Sequence, residues 1–125
     1  MNKMDQIENM TEQLPSLADA TAKEIAEAAA DALDSKKGRD IKILHVEDKT
    51  VIAEYFVLCT GGSSTQIKAL AGEVEHRLGL RGVDPYHVEG RDNNSWVIVD
   101  YSNVIVHIFS RESREFYNLD KLYVD

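Results

Sequence analysis

The chain is predicted to be an α/β (α+β) protein, a mixed β-sheet of about five strands flanked by helices. Three observations predict this. The stretch from Trp96 to Phe109 holds two β-branched runs, Trp96-Val97-Ile98-Val99 and Val104-Ile105-Val106-His107-Ile108-Phe109, around a polar break at Asp100–Asn103. Val and Ile crowd a helix at χ1 but pack well on a pleated surface, and Asp, Ser and Asn bond nearby backbone in turns, so the stretch reads as a β-hairpin. Its arms are apolar at nearly every position, as in strands covered on both faces. Two further segments, 17–37 and 64–78, carry apolar residues at helical spacing. Helices interposed between strands require crossovers, which place helices on the faces of the sheet.

The elements follow in order. Residues 1–15 are polar and form an N-terminal extension. Met4, Ile7, Met10 and Leu14 fit a frayed helix, and the composition fits a disordered arm equally. Residues 16–125 form the single domain. Pro15 and Ser16 read as a helix start, and Leu17 to Lys37 is rich in Ala and Glu. Ala18, Ala22, Ile25, Ala29 and Leu33 form its stripe, and small Ala side chains permit close approach to a sheet. Lys36-Lys37-Gly38 suits a helix end. Asp40 to Val46 alternates as a strand, and Val51 to Thr60 follows as another, firmest from Tyr55 to Cys59. Gly61-Gly62-Ser63-Ser64 breaks it. A helix then runs from about Ser64 to Leu78, with Ile67, Leu70, Ala71, Val74 and Leu78 on its apolar face and Ser63 or Ser64 as N-cap. Tyr86 to Glu89 is a short strand, and Gly90 to Asn94 a polar turn before the hairpin. Arg111 to Tyr117 closes the chain as a short helix, with Leu119, Leu122 and Tyr123 as apolar anchors.

Length and charge bound the function. A chain of 125 residues suits one hydrophobic core. One cysteine, Cys59, cannot staple a fold, so the reading is a reduced, intracellular protein. The opening residues lack the apolar core of a secretion signal, and no apolar run approaches the ~20 residues that span a membrane. The expected location is the cytoplasm. A net charge of −8 repels phosphates, so general nucleic-acid binding is not expected, whereas a basic protein partner is compatible.

No constellation for chemistry emerges. Thr60-Gly61-Gly62-Ser63-Ser64 lies between a strand and a helix, where amides can cradle a phosphate, but it lacks the Gly-Lys-Ser/Thr of a P-loop and the third glycine of a dinucleotide site. Paired metal-binding acids do not follow it, since Glu73 and Glu75 fall in a helix pattern. A tight turn with an N-cap is the simpler reading. His45, His76, His87 and His107 lack zinc spacing, and no catalytic residue, cofactor or metal is assigned. His107 reads as a hydrogen-bonded core histidine, and His45 and His107 could meet across adjacent strands. The conspicuous residues outside the core are Trp96, Asp100, Tyr101 and Ser102, at the mouth and tip of one hairpin. Aromatics beside a few polar groups suit a protein-binding patch. In an extended strand Trp96, Ile98 and Asp100 share a face, and Tyr101 is expected to project from the turn. From pattern alone, a core Trp96 with a partly exposed Tyr101 fits as well.

Several motifs together resemble one family. Thr60-Gly61-Gly62-Ser63-Ser64 with Gln66, Glu89-Gly90, Trp96-Val97-Ile98-Val99-Asp100-Tyr101, Val104-Ile105-Val106-His107-Ile108-Phe109 and Arg114-Glu115-Phe116-Tyr117-Asn118-Leu119-Asp120-Lys121-Leu122-Tyr123 occur in this order. The set, running from about Leu17 to Asp125, is similar to the ribosomal silencing factors, RsfS or Iojap. The resemblance implies a nucleotidyltransferase-like fold without the active site. It implies a non-enzymatic partner of the large ribosomal subunit that docks on large-subunit ribosomal protein fourteen, blocks subunit joining and represses translation when nutrients are short. Organelle relatives assist large-subunit assembly. The implied contact residues are Trp96, Asp100, Tyr101 and Ser102, and a homodimer is implied as well. The chain departs from the usual pattern at four places: His45 and Glu54 stand for Asp, Ser102-Asn103 for Gly-Asp, and Tyr123 for Trp. Asn at the turn tolerates positive φ.

Overall fold

The structure, a computed structural model, describes residues 14–92 and 95–124. The expected N-terminal helix of Met4, Ile7 and Met10 lies outside these residues, and Leu14 is exposed.

The described elements are α1 (Ala22–Ser35), β1 (Arg39–His45), β2 (Tyr55–Gly61), α2 (Ser64–Leu80), β3 (His87–Glu89), β4 (Trp96–Asp100), β5 (Val104–Ser110), α3 (Arg111–Tyr117) and α4 (Leu119–Leu122). The five strands form one sheet in the order β1-β2-β5-β4-β3. The β2–β5 pair is parallel and the other pairs are antiparallel. The sheet is therefore mixed, as the helix between β2 and the later strands requires. The hairpin is β4–β5, and β5 is the central strand.

Two expectations for the first half are corrected. The helix begins at Ala22, not at Pro15-Ser16. Thr21 caps it: its hydroxyl accepts from the Glu24 N–H at 3.2 Å, and the Glu24 carboxylate accepts from the Thr21 N–H at 3.2 Å. This reciprocal box satisfies two orphan donors, which Ser16 could not do for a helix starting six residues later. Residues 15–17 instead strap onto the end of α2. The Leu17 N–H donates to the Arg81 carbonyl at 2.7 Å, and Arg81 Nε donates to the Pro15 carbonyl at 3.1 Å. Ala18 is consequently exposed, and α1 buries Ala26, Ala29, Ala32 and Leu33. The second correction is that Val51 to Glu54 belongs to the loop before β2, with Val51 and Ile52 exposed.

The helix α2 matches its expected face, burying Ile67, Leu70, Ala71, Val74 and Leu78, and Ser63 caps it by accepting from the Gln66 N–H at 3.1 Å. Together α1 and α2 cover one face of the sheet, over Val57, Cys59, Val97, Val99, Val106 and Ile108. The other face carries Phe56, Leu58, Ile105 and Phe109. Among the described residues it is covered by the loop between β1 and β2, through Val46 and Ala53, and by the C-terminal segment, with Leu119 and Tyr123 packed against this second cluster. The burial of β5 on both faces agrees with its unbroken apolar run. In β4 the inward positions Val97 and Val99 are buried while Trp96, Ile98 and Asp100 are half-buried, so expected two-sided burial holds for one arm only.

Arg114 holds the C-terminal segment down. Its guanidinium forks onto the Asp120 carboxylate, Nε to Oδ1 at 2.7 Å and Nη2 to Oδ2 at 2.9 Å. It also donates to the Thr60 hydroxyl at 3.0 Å and to the Asp40 carbonyl at 2.9 Å. Lys42 reaches the same carboxylate at 3.1 Å. The Arg114 hydrogen bonds, followed by Lys42, hold the Asp120 carboxyl down to about 2. One side chain thus joins α3, α4, β1 and β2. Truncating it strips a buried donor set from Thr60 and Asp40 and leaves Asp120 with Lys42 as its remaining cation. We expect Arg114→Ala to cost about 3 kcal/mol, read as a lower urea midpoint. An unchanged midpoint would show that the fork is dispensable.

Candidate functional site

The β4 strand carries the expected patch, and the register defines what surrounds it. Trp96, Ile98 and Asp100 lie on the sparsely covered face, as period-two alternation requires. Cross-strand pairing sets His87 of β3 opposite Asp100, and Glu89 opposite Ile98. His87 Nε2 lies 3.0 Å from Glu89 Oε1, and His87 Nδ1 lies 3.8 Å from Asp100 Oδ2. The patch is therefore a strip: an aromatic end at Trp96, an apolar middle at Ile98, and an end where a histidine sits between two carboxylates.

The Trp96 indole is held from several sides. It packs on Phe109 with ring centroids 5.0 Å apart and on Tyr117 at 4.4 Å. Its Nε1–H donates to His107 Nδ1 at 3.2 Å. Gly90, at φ 84°, passes directly beneath the Trp96 carbonyl, where any Cβ would collide with it. His107 is 6% exposed and sits edge-on to Phe56 at 4.8 Å. It is the hydrogen-bonded core histidine expected from the sequence. It does not meet His45, because β2 lies between β1 and β5; His45 stacks on Tyr55 instead. Burial drives His107 down to about 4, with the Asp100 charge opposing. The ring is neutral at pH 7, and an Nδ1 that accepts places the proton on Nε2.

The Tyr101 expectation is corrected. The side chain does not project from the turn but continues the alternation of Val97 and Val99 into the helix-covered face, where it is 8% exposed. Its hydroxyl is buried with no hydrogen-bond partner among the described residues. Burial, then the charges of Glu75 and Asp84, pushes the phenol above its ordinary range. The turn itself is exposed at Ser102 and Asn103. Asp100 Oδ1 accepts from the Ser102 N–H at 2.7 Å, and the Tyr101 N–H donates to the Val104 carbonyl at 2.8 Å. Positive φ falls on Ser102, at 73°, and not on Asn103. A residue with a Cβ is strained there by about 1 kcal/mol.

With this geometry in view, likeness to known proteins becomes informative. The family model described as ribosomal silencing factor during starvation matches residues 19–125. The ribosomal silencing factor RsfS of Bacillus subtilis is 39% identical over 103 residues, covering 82% of this chain and 87% of that protein. The one from Haemophilus influenzae is 35% identical over 99 residues, covering 79% and 97%. A crystal structure of a Chromobacterium violaceum protein superposes with a TM-score of 0.80 at 35% identity, covering 82% of this chain and 86% of that one.

The chain belongs to the RsfS family. RsfS proteins are non-enzymatic regulators that bind the large ribosomal subunit, and this membership carries the reading that the chain is not an enzyme. The cleft at the end of β2 and β5 shows how the local chemistry is already used. Its lining includes Thr60, Gly61, Gly62, Ser63 and Arg114. The Gly62 N–H donates to Gln66 Oε1 at 2.6 Å, and the Gln66 side chain anchors in turn to the Lys37 carbonyl at 3.1 Å. An amide that could cradle a phosphate thus bonds within the chain, and Arg114 is taken by Asp120, Thr60 and Asp40. Cys59 is buried, and burial pushes its thiol to about 11, an inert state.

Three features of this RsfS surface were not read from the sequence. Phe116 is 81% exposed and packs edge-on to Tyr117, which extends the Trp96 aromatics. Tyr86 is 80% exposed, its N–H donating to the Asp100 carbonyl at 2.7 Å. His87 and Glu89 join through pairing of β3 with β4. The adjacent aromatics of Phe116-Tyr117 were a usable signal; the strand register was not available.

Two outcomes test this geometry. In acid, the unfolded chain takes up a proton at His107 near pH 6.5, the folded chain only near 4. The histidine's contribution is complete above about pH 6.5 and is lost as pH falls towards 4, on the order of 3 kcal/mol. Urea midpoints between pH 7 and 4.5 should fall less steeply for His107→Phe than for the native chain; equal slopes would exclude a buried neutral ring. Separately, Tyr101→Phe removes an unpaired buried hydroxyl and should retain full stability, whereas Tyr101→Ala should lose about 3–4 kcal/mol. A tolerated Tyr101→Ala would return the ring to the surface.

Proposed function

We propose that the protein docks on the large ribosomal subunit through large-subunit ribosomal protein fourteen, using the strip of Trp96, Ile98 and Asp100 with Ser102 at its end. Bound there, the folded domain occupies the place where the small subunit would join, and translation is repressed under nutrient limitation. Residues 16–125 are the acting domain, the cytoplasm is its place of action, and self-association belongs to the same proposal.

The observation that carries this reading is the half-covered sheet face. Isolated apolar side chains at a surface need no account, but a row of Trp96, Tyr117 and Phe116 that runs through Ile98 to the acids around His87 has the composition of an interface. Charge adds direction. A chain of net charge −8 is repelled by ribosomal RNA, so its favourable approach is to a basic protein. Asp100 and Glu89 give that partner an acidic edge, and Tyr101 supports the turn from inside.

The test is sedimentation with purified subunits. Native protein should co-migrate with large subunits, not with small ones, and should reduce the yield of joined ribosomes. Trp96→Ala should weaken the binding about thirtyfold, the cost of truncating an interface aromatic. Asp100→Asn keeps an acceptor for the Ser102 N–H and removes only the charge, so its loss should be smaller and should vanish at high salt. Tyr101→Phe should bind as the native chain does. Circular dichroism accompanies each variant. Native affinity in a folded Trp96→Ala, Asp100→Asn double variant would place the contact elsewhere.

A further inference from the structure

The strip has a supporting residue that touches no partner. We propose that His107 is a positioning residue, fixing the edge of the Trp96 indole that faces the ribosome. The inference rests on the ribosomal reading of the strip and names how its aromatic anchor is preset.

The argument starts from the acceptor. A buried histidine beside a half-exposed tryptophan can be filler, and then any ring of similar size would serve. Here the indole Nε1–H points at His107 Nδ1 at 3.2 Å. The acceptor is itself immobile. The His107 ring is buried, lies parallel to Phe109 at 5.9 Å and 9°, and meets Phe56 edge-on at 73°. The other ring nitrogen, Nε2, is buried with no hydrogen-bond partner among the described residues, so the packing of Phe56 and Phe109, not a second hydrogen bond, holds the ring. Held so, Nδ1 presents its lone pair in one direction, and that direction selects one orientation of the indole. The backbone under the indole is held by Gly90, and its faces by Phe109 and Tyr117.

The consequence concerns recognition. A free tryptophan at an interface offers both an apolar body and an N–H donor. In this chain the donor is used inward, so the edge left for a partner is apolar. A partner acceptor opposite Trp96 gains nothing, and an apolar side chain there is favoured. Presetting also removes the side-chain entropy that binding would otherwise cost. His107 thus acts on affinity without entering the contact.

The chain has a single tryptophan, so one indole N–H resonance in a nitrogen-15 spectrum reports this bond directly. Two variants separate the bond from the packing. His107→Phe keeps a ring and loses the acceptor; His107→Asn loses the ring and keeps an oxygen near the place of Nδ1. The expected result for His107→Phe is a shifted, faster-exchanging indole N–H and about tenfold weaker co-sedimentation with large subunits. His107→Asn should restore the bonded resonance and most of the affinity. A variant that loses the bond yet binds natively overturns the inference, and so does one that keeps the bond yet loses binding. Should His107→Phe fail to fold, His107→Asn decides by the same two criteria. Native protein that ignores large subunits overturns the ribosomal reading and the inference together, an outcome told apart by an indole resonance that still shows the bond.

Discussion

The fork between Arg114 and Asp120 is the interaction on which the rest of this structure leans. Both long helices, α1 and α2, lie on one face of the sheet. The opposite face presents Phe56, Leu58, Ile105 and Phe109, which water would otherwise cover. Among the described residues, Val46 and Ala53 of the β1–β2 loop shield part of it, and the residues after β5 shield the rest. A segment so short gains little helical stability of its own, since nucleation is costly and α3 and α4 span seven and four residues. It has to be fastened. Arg114 does this by bonding at once to its own segment, through Asp120, and to β1 and β2, through Asp40 and Thr60. Asn118 makes the fork possible. Its left-handed backbone, at φ 50°, ends α3 and turns α4 back so that Asp120 meets Arg114.

Partial cover is also what leaves the proposed docking surface open. The C-terminal segment shields the second face over β2 and β5 but leaves β4 half-open. The same strand therefore reads differently on its two sides: Val97, Val99 and Tyr101 are core, while Trp96, Ile98 and Asp100 are half-exposed. A strand buried on both faces could offer a partner only its ends. The neighbouring β3 is three residues long, so it supplies His87 and Glu89 to the strip without walling it off. Membership of the RsfS family gives this surface its setting, and the bond from Trp96 to His107 gives it a fixed shape.

Much of this was legible in the chain. Unbroken β-branched runs around Asp100–Asn103 specified the hairpin, and the period of Ile67, Leu70, Ala71, Val74 and Leu78 specified the buried face of α2, which continues two residues past Leu78. The start of α1 was not, because Ser16 and Thr21 are both acceptable caps before an Ala-rich run. Glu24, three residues beyond Thr21, was the deciding signal. At Tyr101 turn chemistry and strand alternation point in opposite directions, and alternation prevails. Tyr101 shares parity with Val97 and Val99, and the strand's geometry carries its side chain inward before the turn begins at Ser102. The reach of Arg114 to the sheet could not be read at all. Its partners Asp40 and Thr60 lie 74 and 54 residues away, and no local pattern encodes which strand end a C-terminal arginine will reach.

The turn shows how these levels meet in one residue. Ser102 occupies a left-handed position that glycine would take without strain. Its N–H is caught by Asp100 Oδ1, so the carboxylate proposed to meet a basic partner also closes the turn. Asp100 thus has two loads, and they compete: a partner cation that draws the carboxylate outward weakens the bond holding Ser102. The backbone bond from Tyr101 to Val104 and the bonds from Glu54 and Tyr55 to the Asn103 carbonyl limit how far the turn can then relax. The buried Tyr101 ring serves the same end, anchoring the turn from the core side. An exposed Tyr101 would have added an aromatic contact, but it would have left the acid at the end of β4 on a looser hinge. The inward ring gives up that contact and keeps the charge in register with His87 and Glu89.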